Sequence, residues 1–263
     1  MGHLYTLVNQ KGGVGKTTTA INLGACLARL DQRVLLVDLD PQANATSSLG
    51  IDKHTVSSGT YEALLGEVSV VAQILHNPRL RISILPSSPA LVGAEIELVN
   101  ELGREGKLRQ ALEPLADRFD YILIDCPPSL GLLTVNGLMA ARDGVLIPVQ
   151  CEYLALEGLG ELMHTIERVR GALFPSLNVR GVVLTMYDTR THLSADVVKE
   201  VQKFFGELVF RTIIPRSVRL AEAPSYGLPV TEYAPSSSAS QAYDLLAREL
   251  TAGDGIAVPQ AAS

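Results

Sequence analysis

Residues 9–19 read Asn-Gln-Lys-Gly-Gly-Val-Gly-Lys-Thr-Thr-Thr and directly follow an apolar run at 4–8. This order of residue types suits the binding of a phosphorylated ligand. Gly12, Gly13 and Gly15 let the main chain turn tightly and bring its N–H groups, with those of Val14 and Thr18, close to phosphate oxygens. Lys16 can reach the β- and γ-phosphates of a nucleotide, and the Thr17 hydroxyl can bind Mg2+. Residues 17–30 have helical spacing, so the positive end of a helix would face the anion. The usual pattern is G-x-x-x-x-G-K-[ST]. Here Gln10 stands where the first glycine is expected, and a second lysine, Lys11, sits inside the loop. That lysine either points into solvent or reaches across a dimer to a second subunit's nucleotide. The residues alone leave both readings open.

Three aspartates fall where such a loop needs them. Asp125 follows the apolar residues Tyr-Ile-Leu-Ile, and an acid there suits a magnesium contact through water, opposite Thr17. Asp38 and Asp40 close the run Val-Asp-Leu-Asp-Pro-Gln, and strand alternation puts both on one side. Two neighbouring carboxylates could orient a water and tune the metal. Pro41 stiffens the exit from the strand.

The elements around these residues follow from hydropathy. Near-continuous Val/Ile/Leu runs at 4–8, 33–39, 81–85, 121–125, 144–149, 179–185 and 209–214 predict buried strands. Helical spacing recurs at 17–30, 90–100, 107–118, 132–141, 156–173, 194–205 and 236–250, the last with Ser238 or a neighbour as its N-cap. This alternation predicts an α/β fold, a mostly parallel, doubly wound sheet with helices on both faces. Ligands of such a sheet sit at the carboxyl ends of the strands. Residues 1–251 read as a single domain. The stretch 252–263 is small, Gly/Pro-containing and non-periodic, and is expected to be a disordered tail.

Composition narrows the class. The chain has 263 residues, 47% of them hydrophobic, with 5% aromatics and no Trp, enough for one aliphatic core. The net charge of −6 gives no global basic signature, so any nucleic-acid contact needs a local patch. Cys26, Cys126 and Cys151 are widely spaced, which suits reduced thiols. There is no signal-peptide pattern and no apolar run of membrane-spanning length, so a cytoplasmic protein is expected.

The segments KGGVGKTT, VDLDPQ and IDCPPSLG, in this order and spacing, resemble the deviant-Walker ATPases of the ParA/MinD class. GAEIEL (93–98), PVQCEYLALEGL (148–159), LTMYDTRT (184–191) and IPRSVRLAEAPSYGLP (214–229) resemble its chromosomal ParA (Soj) branch, and the likeness spans about residues 3–250. The resemblance implies a P-loop ATPase using ATP and Mg2+. Lys16 would bind the β/γ-phosphates, Thr17 the metal, and Lys11 would act across an ATP-sandwich homodimer. Asp40 would position the attacking water, Asp38 would support the metal region, and Asp125 would be the Walker B acid. Gly12 would lie at the dimer face. Relatives often carry an Asn for adenine just after residues 179–185, where this chain has Thr185-Met186. Backbone groups near Pro215 are the better expectation here. Relatives also read Pro-Arg-Asn where this chain has Pro215-Arg216-Ser217.

The resemblance further implies that the ATP-bound dimer binds DNA without sequence preference on the nucleoid, and that a ParB-type partner stimulates hydrolysis, segregating a chromosome or plasmid. Arg190 and Arg219 are the expected DNA contacts, within a stretch that also holds Lys199, Lys203, Arg211 and Arg216. From the residues alone, these cations read equally as a solvated surface balanced by Asp196, Glu200 and Glu207. Two alternatives share the nucleotide motifs. A MinD-like membrane-positioning ATPase needs an amphipathic C-terminal anchor, and the residues after Leu250 lack basic and large apolar side chains. An ATPase like the nitrogenase iron protein needs a shared cluster, for which only Cys126 and Cys151 stand near the nucleotide end.

Overall fold

The computed structural model describes residues 2–66, 68–153 and 155–258, with the backbone alone at 155–157. Seven strands form one sheet: β1 (His3–Leu7), β2 (Val34–Asp38), β3 (Leu75–Asn77), β4 (Ile82–Leu85), β5 (Tyr121–Asp125), β6 (Gly144–Gln150) and β7 (Val179–Thr185). Their order across the sheet is β3-β4-β2-β5-β1-β6-β7, and only the β3–β4 pair is antiparallel. All residues of β2 and β5 are buried, as expected for parallel strands covered on both faces.

The helices are α1 (Lys16–Arg29), α2 (Asn44–Ser48), α3 (Thr60–Leu65), α4 (Leu91–Glu97), α5 (Lys107–Leu112), α6 (Leu132–Ala140), α7 (Ala155–Ala172), α8 (His192–Phe205), α9 (Val218–Glu222), α10 (Val230–Tyr233) and α11 (Ser238–Gly253). Alternate strand residues divide between the two faces. Tyr5, Leu7, Leu36, Leu123 and Leu146 pack with α1 and α11. Leu35, Val37, Ile122 and Ile124 pack with α3 to α6, and Val145, Ile147, Val182 and Leu184 with α6 to α8. The register sets Asp38 of β2 beside Asp125 of β5, and Asp125 beside Leu7 of β1. The loop after β1 therefore opens directly above the acids that end its neighbours.

Three sequence expectations are corrected. Residues 209–214 form no strand: the segment runs beside β7 with two backbone bonds, Phe210 to Val182 and Ile214 to Leu184. Between them, the amides of Arg211 and Thr212 donate to the Glu249 carboxylate of α11, so a side chain takes the place of a neighbouring strand. An edge strand, β3, was not expected from its three residues, Leu-His-Asn. The expected tail begins too early. Helix α11 continues to Gly253, and the Asp254 carboxylate accepts hydrogen bonds from the Tyr5 and Tyr121 hydroxyls and from Arg180. Ile256 and Val258 pack on the core, and residues 259–263 lie outside the described ones. The cap of α11 is Ser237, whose hydroxyl accepts from the Ser240 amide.

Candidate functional site: a phosphate loop above three aspartates

The loop is shaped by its glycines and clamped from three sides. Gly15 has φ 90°, a left-handed conformation that only glycine adopts freely, and α1 begins at the next residue. Asn9 is buried; its amide nitrogen donates to the Pro148 carbonyl and its oxygen accepts from the Lys11 amide. The Thr185 hydroxyl at the end of β7 donates to the Val14 carbonyl over 2.8 Å. Gln10 donates to Glu161 of α7. Asn9, Glu161 and the clamping hydroxyl of Thr185 were not singled out from the sequence for these contacts. They join segments far apart in the chain, and no local spacing reports them.

Within this frame Lys16 is buried, and its ammonium donates to the Lys11 carbonyl at 3.2 Å. Burial lowers its pKa, opposed by the nearby carboxyl groups of Asp125 and Asp40. Thr17 donates its hydroxyl to Asp125 Oδ2 at 2.7 Å. Asp125 Oδ1 is buried with no hydrogen-bond partner among the described residues. Burial raises the Asp125 pKa, and the neighbouring Asp38 carboxylate adds to the shift. Asp38 is pushed up to about 6 by burial, against the hydrogen bonds from Thr46 and Asp40. Asp38, Asp40, Asp125 and the phosphate loop thus lie close together.

The remaining expected residues fall around this centre. Lys11 is half-exposed, and its ammonium has no ion pair among the described residues. Gly12 is exposed, and a Cβ added there would meet only Pro128, at 3.9 Å. Among the described residues nothing requires glycine at that position. Beside the loop lies a cleft of about 250 Å3 whose walls include Gly15, Thr18, Met186, Pro215, Leu220 and Tyr243. Thr18 and Pro215 therefore face one space next to the phosphate cradle. Met186 has φ 54°, a conformation that favours Asn among larger residues. The Ser217 hydroxyl accepts from the Arg219 amide at 3.3 Å and caps α9. Two larger grooves, of about 720 and 610 Å3, run along α6 and contain neither a loop residue nor a strand-end acid.

The expected DNA contacts are exposed but already paired. Arg190 donates to Asp188 Oδ1 at 2.9 Å and Oδ2 at 2.6 Å. Arg219 pairs with Glu222 at 2.8 Å, and Arg216 with Glu152 at 3.5 Å. The Arg190 guanidinium holds the Asp188 carboxyl well below its usual range. The partners foreseen from sequence were others; among those, Asp196 pairs with Lys199.

The comparisons agree with this geometry. A family model described as an AAA domain matches residues 2–179. The chain is 51% identical over 252 residues to the sporulation initiation inhibitor protein Soj of Bacillus subtilis, covering 96% of this chain and 99% of that protein. It is 52% identical over 255 residues to the chromosome partitioning protein ParA of Myxococcus xanthus, covering 97% and 89%. This chain belongs to the ParA (Soj) family of partitioning ATPases. A solved structure of cobyrinic acid a,c-diamide synthase from Mycobacterium smegmatis, with bound ADP and magnesium, superposes with a TM-score of 0.85 and 39% identity, covering all of both chains. Membership in the ParA (Soj) family accounts for the order of loop, paired aspartates and strand-end acid.

Proposed function

We propose that this chain is an ATP-driven partition switch. Its ATP-bound form pairs into a homodimer and binds DNA of the nucleoid without sequence preference. It hydrolyses ATP when a ParB-type partner stimulates it, segregating a chromosome or plasmid. The observation that carries the reading is the Thr17–Asp125 contact under the phosphate loop, with the second Asp125 oxygen buried and unpartnered among the described residues. A hydroxyl and an underpaired carboxylate fit a hydrated magnesium ion, with Thr17 as a direct ligand and Asp125 acting through water. Asp38, already held by Thr46, would support this region without binding the ion directly. Magnesium, when bound, neutralises charge on the β- and γ-phosphate oxygens of ATP.

The chain's own residues supply the rest. The amides of Gly12, Gly13, Val14, Gly15, Lys16, Thr17 and Thr18 cradle the phosphates at the start of α1. Lys16 swings from the Lys11 carbonyl to the β/γ-phosphates; its burial makes the trade of a carbonyl for an anion favourable. Asp40 holds the attacking water through the carboxylate oxygen that accepts no hydrogen bond from the described residues. Lys11, with its ammonium unpaired, reaches the partner subunit's γ-phosphate, and Gly12 leaves room for that approach. The base enters the cleft at Pro215, where main-chain groups read it. Arg190 and Arg219 exchange their carboxylates for DNA phosphates, and dimerisation doubles the patch.

Other observations favour DNA over the alternatives. After α11, residues 256–258 form no helix, and Ile256 and Val258 pack on the core. Cys126 is buried within the aliphatic core, where a cluster shared across a dimer face would not reach it.

The test measures ATP turnover with DNA and a ParB-type partner, separately and together. Stimulation in the joint condition is expected. Equal DNA binding with ATP, with ADP and without nucleotide would sink the switch. Lys11→Ala should keep nucleotide affinity and lose about 100-fold or more in turnover, the scale of removing a transition-state cation. An unchanged rate would remove Lys11 from the mechanism.

A further inference from the structure

Beyond Asp38 the main chain leaves the sheet. The Leu39 amide still donates to the Asp125 carbonyl, but Asp40 has no strand neighbour. What holds it instead is a closed ring of hydrogen bonds. The Thr46 hydroxyl donates to Asp38 Oδ2 at 2.7 Å and accepts from the Ser87 amide at 2.9 Å. The Ser87 hydroxyl donates to the Asp40 carbonyl at 2.8 Å. The Asp40 amide closes the ring by donating to Asp38 Oδ1 at 3.2 Å. A third hydroxyl, that of Thr60, pins the Asp38 carbonyl at 2.7 Å.

Asp38, Thr46, Thr60 and Ser87 are completely buried, and Asp40 is 6% exposed. The hydroxyls come from the middle of α2, the start of α3 and the loop after β4, segments with no local reason to meet. An ordinary buried hydroxyl would satisfy itself on its own helix or strand. These converge on the one stretch of chain that carries both aspartates. Asp40 Oδ1 is taken by the Gln42 amide at 2.9 Å, and the other carboxylate oxygen accepts no hydrogen bond among the described residues.

We infer that Thr46 and Ser87 are positioning residues for ATP hydrolysis, acting through Asp38 and Asp40. The inference rests on the reading of Asp40 as the residue that holds the attacking water. Both side chains are completely buried and spend their hydroxyls on Asp38 and Asp40. Ser87 fixes the main chain of Asp40 through its carbonyl, and Thr46 fixes the Asp38 carboxylate that holds the Asp40 amide, so both set where the Asp40 side chain starts; misplacement by about 1 Å can cost on the order of 100-fold in rate. Their loss should therefore be read in kcat and not in nucleotide binding.

The experiment measures steady-state ATP turnover with DNA and a ParB-type partner for Ser87→Ala, Thr46→Val and Thr46→Ser. Binding of a fluorescent ATP analogue and thermal melting are followed alongside. Ser87→Ala leaves the backbone bonds of the ring in place. It should lower kcat by about tenfold or more with KM within about twofold of the parent. Thr46→Val should do the same, and Thr46→Ser, which keeps the hydroxyl, should recover to within about threefold. Parent-like turnover in Ser87→Ala overturns the inference. So does joint loss of turnover, nucleotide affinity and melting temperature, which would make the ring a purely structural support. The parent reading fails separately: it falls if the unaltered chain hydrolyses no ATP, or if Asp40→Ala turns over normally.

Discussion

The sheet carries buried carboxylates at both of its ends, and the two ends treat them in opposite ways. At the carboxyl ends of the strands, Asp38 and Asp125 are adjacent, like-charged and driven upward in pKa by burial, with one Asp125 oxygen left without a partner among the described residues. At the amino ends, the 3% exposed Asp254 carboxylate accepts from the Tyr5 hydroxyl at 2.7 Å, the Tyr121 hydroxyl at 2.9 Å, and Arg180 at 2.9 and 3.0 Å. Its negative charge meets a guanidinium instead of another carboxylate. One end is underpaired and opens on the phosphate loop; the other is saturated and ties the last helix to the first strand. A buried acid short of donors destabilises the empty protein and is ready for a cation. A buried acid with every donor supplied stabilises the fold and has little left to offer a ligand.

The largest separation of the two ends comes from Asp254→Ala. It strands two buried hydroxyls and leaves Arg180 without its carboxylate. Breaking such a pair costs about 3 kcal/mol, the low end of the usual range because Arg180 can still reach water. For a domain of this size the melting temperature should fall by about 8 °C, with kcat per folded molecule unchanged. A drop in turnover at full folding would mean that the amino end of the sheet is not a purely structural counterpart to the site.

Asp125→Asn tests the other end and should move stability the opposite way. A carboxylate whose pKa is raised in the folded protein supports folding below its unfolded value, near 4, and loses that support as pH rises through the folded value. At neutral pH, between these two values, the folded protein must hold a proton on Asp125 that the unfolded chain releases, and this opposes folding. Replacing it with a neutral side chain that can still accept from Thr17 should stabilise the nucleotide-free protein by about 1 kcal/mol, and should flatten the fall in melting temperature above about pH 4. Turnover should fall by about 100-fold as the metal contact weakens. A less stable variant would show that the orphaned oxygen is better supported than its geometry indicates.

How much of this was legible in the sequence follows from which interactions are local. The parallel strands read directly because a strand buried on both faces is a run of Val, Ile and Leu, as in β2 and β5. The phosphate loop read directly because all its glycines, lysines and threonines lie within one short segment. Asp38, Asp40 and Asp125 read directly because each ends such a run. The ring through Thr46 and Ser87 did not: small hydroxyl residues are common, and nothing near them in the chain marks them as buried around a carboxylate. Residues 209–214 misled for the same reason in reverse. Their hydropathy is that of a strand, but Glu249, from a helix about forty positions on, captures the amides that a neighbouring strand would have used. The C-terminal segment has tail-like composition, and its anchors, Asp254 with three partners far off in sequence and Ile256 and Val258 on the core, are not local.

The smallest expected effect lies on the surface, where a carboxylate is neither buried nor orphaned but competes. Arg190 is 83% exposed on its side chain and is held by both oxygens of Asp188. The same carboxylate accepts from the Arg190 amide, and the Asp188 carbonyl accepts from the Thr191 amide, so the turn into α8 depends on it. Asp188→Asn keeps an acceptor for the Arg190 amide and removes only the charge. An exposed pair of this kind contributes little to stability, so melting should not change. What should change is the guanidinium's availability to a phosphate. With ATP present, DNA affinity should rise by about threefold near 0.1 M salt, and the salt dependence should steepen by about one phosphate contact per released arginine. Fluorescence anisotropy across a salt series reads both, with turnover in the absence of DNA as the control. Unchanged affinity together with an unchanged slope would take Arg190 off the DNA face and leave Arg219 and Arg216, each with its own carboxylate, to be tested in the same way.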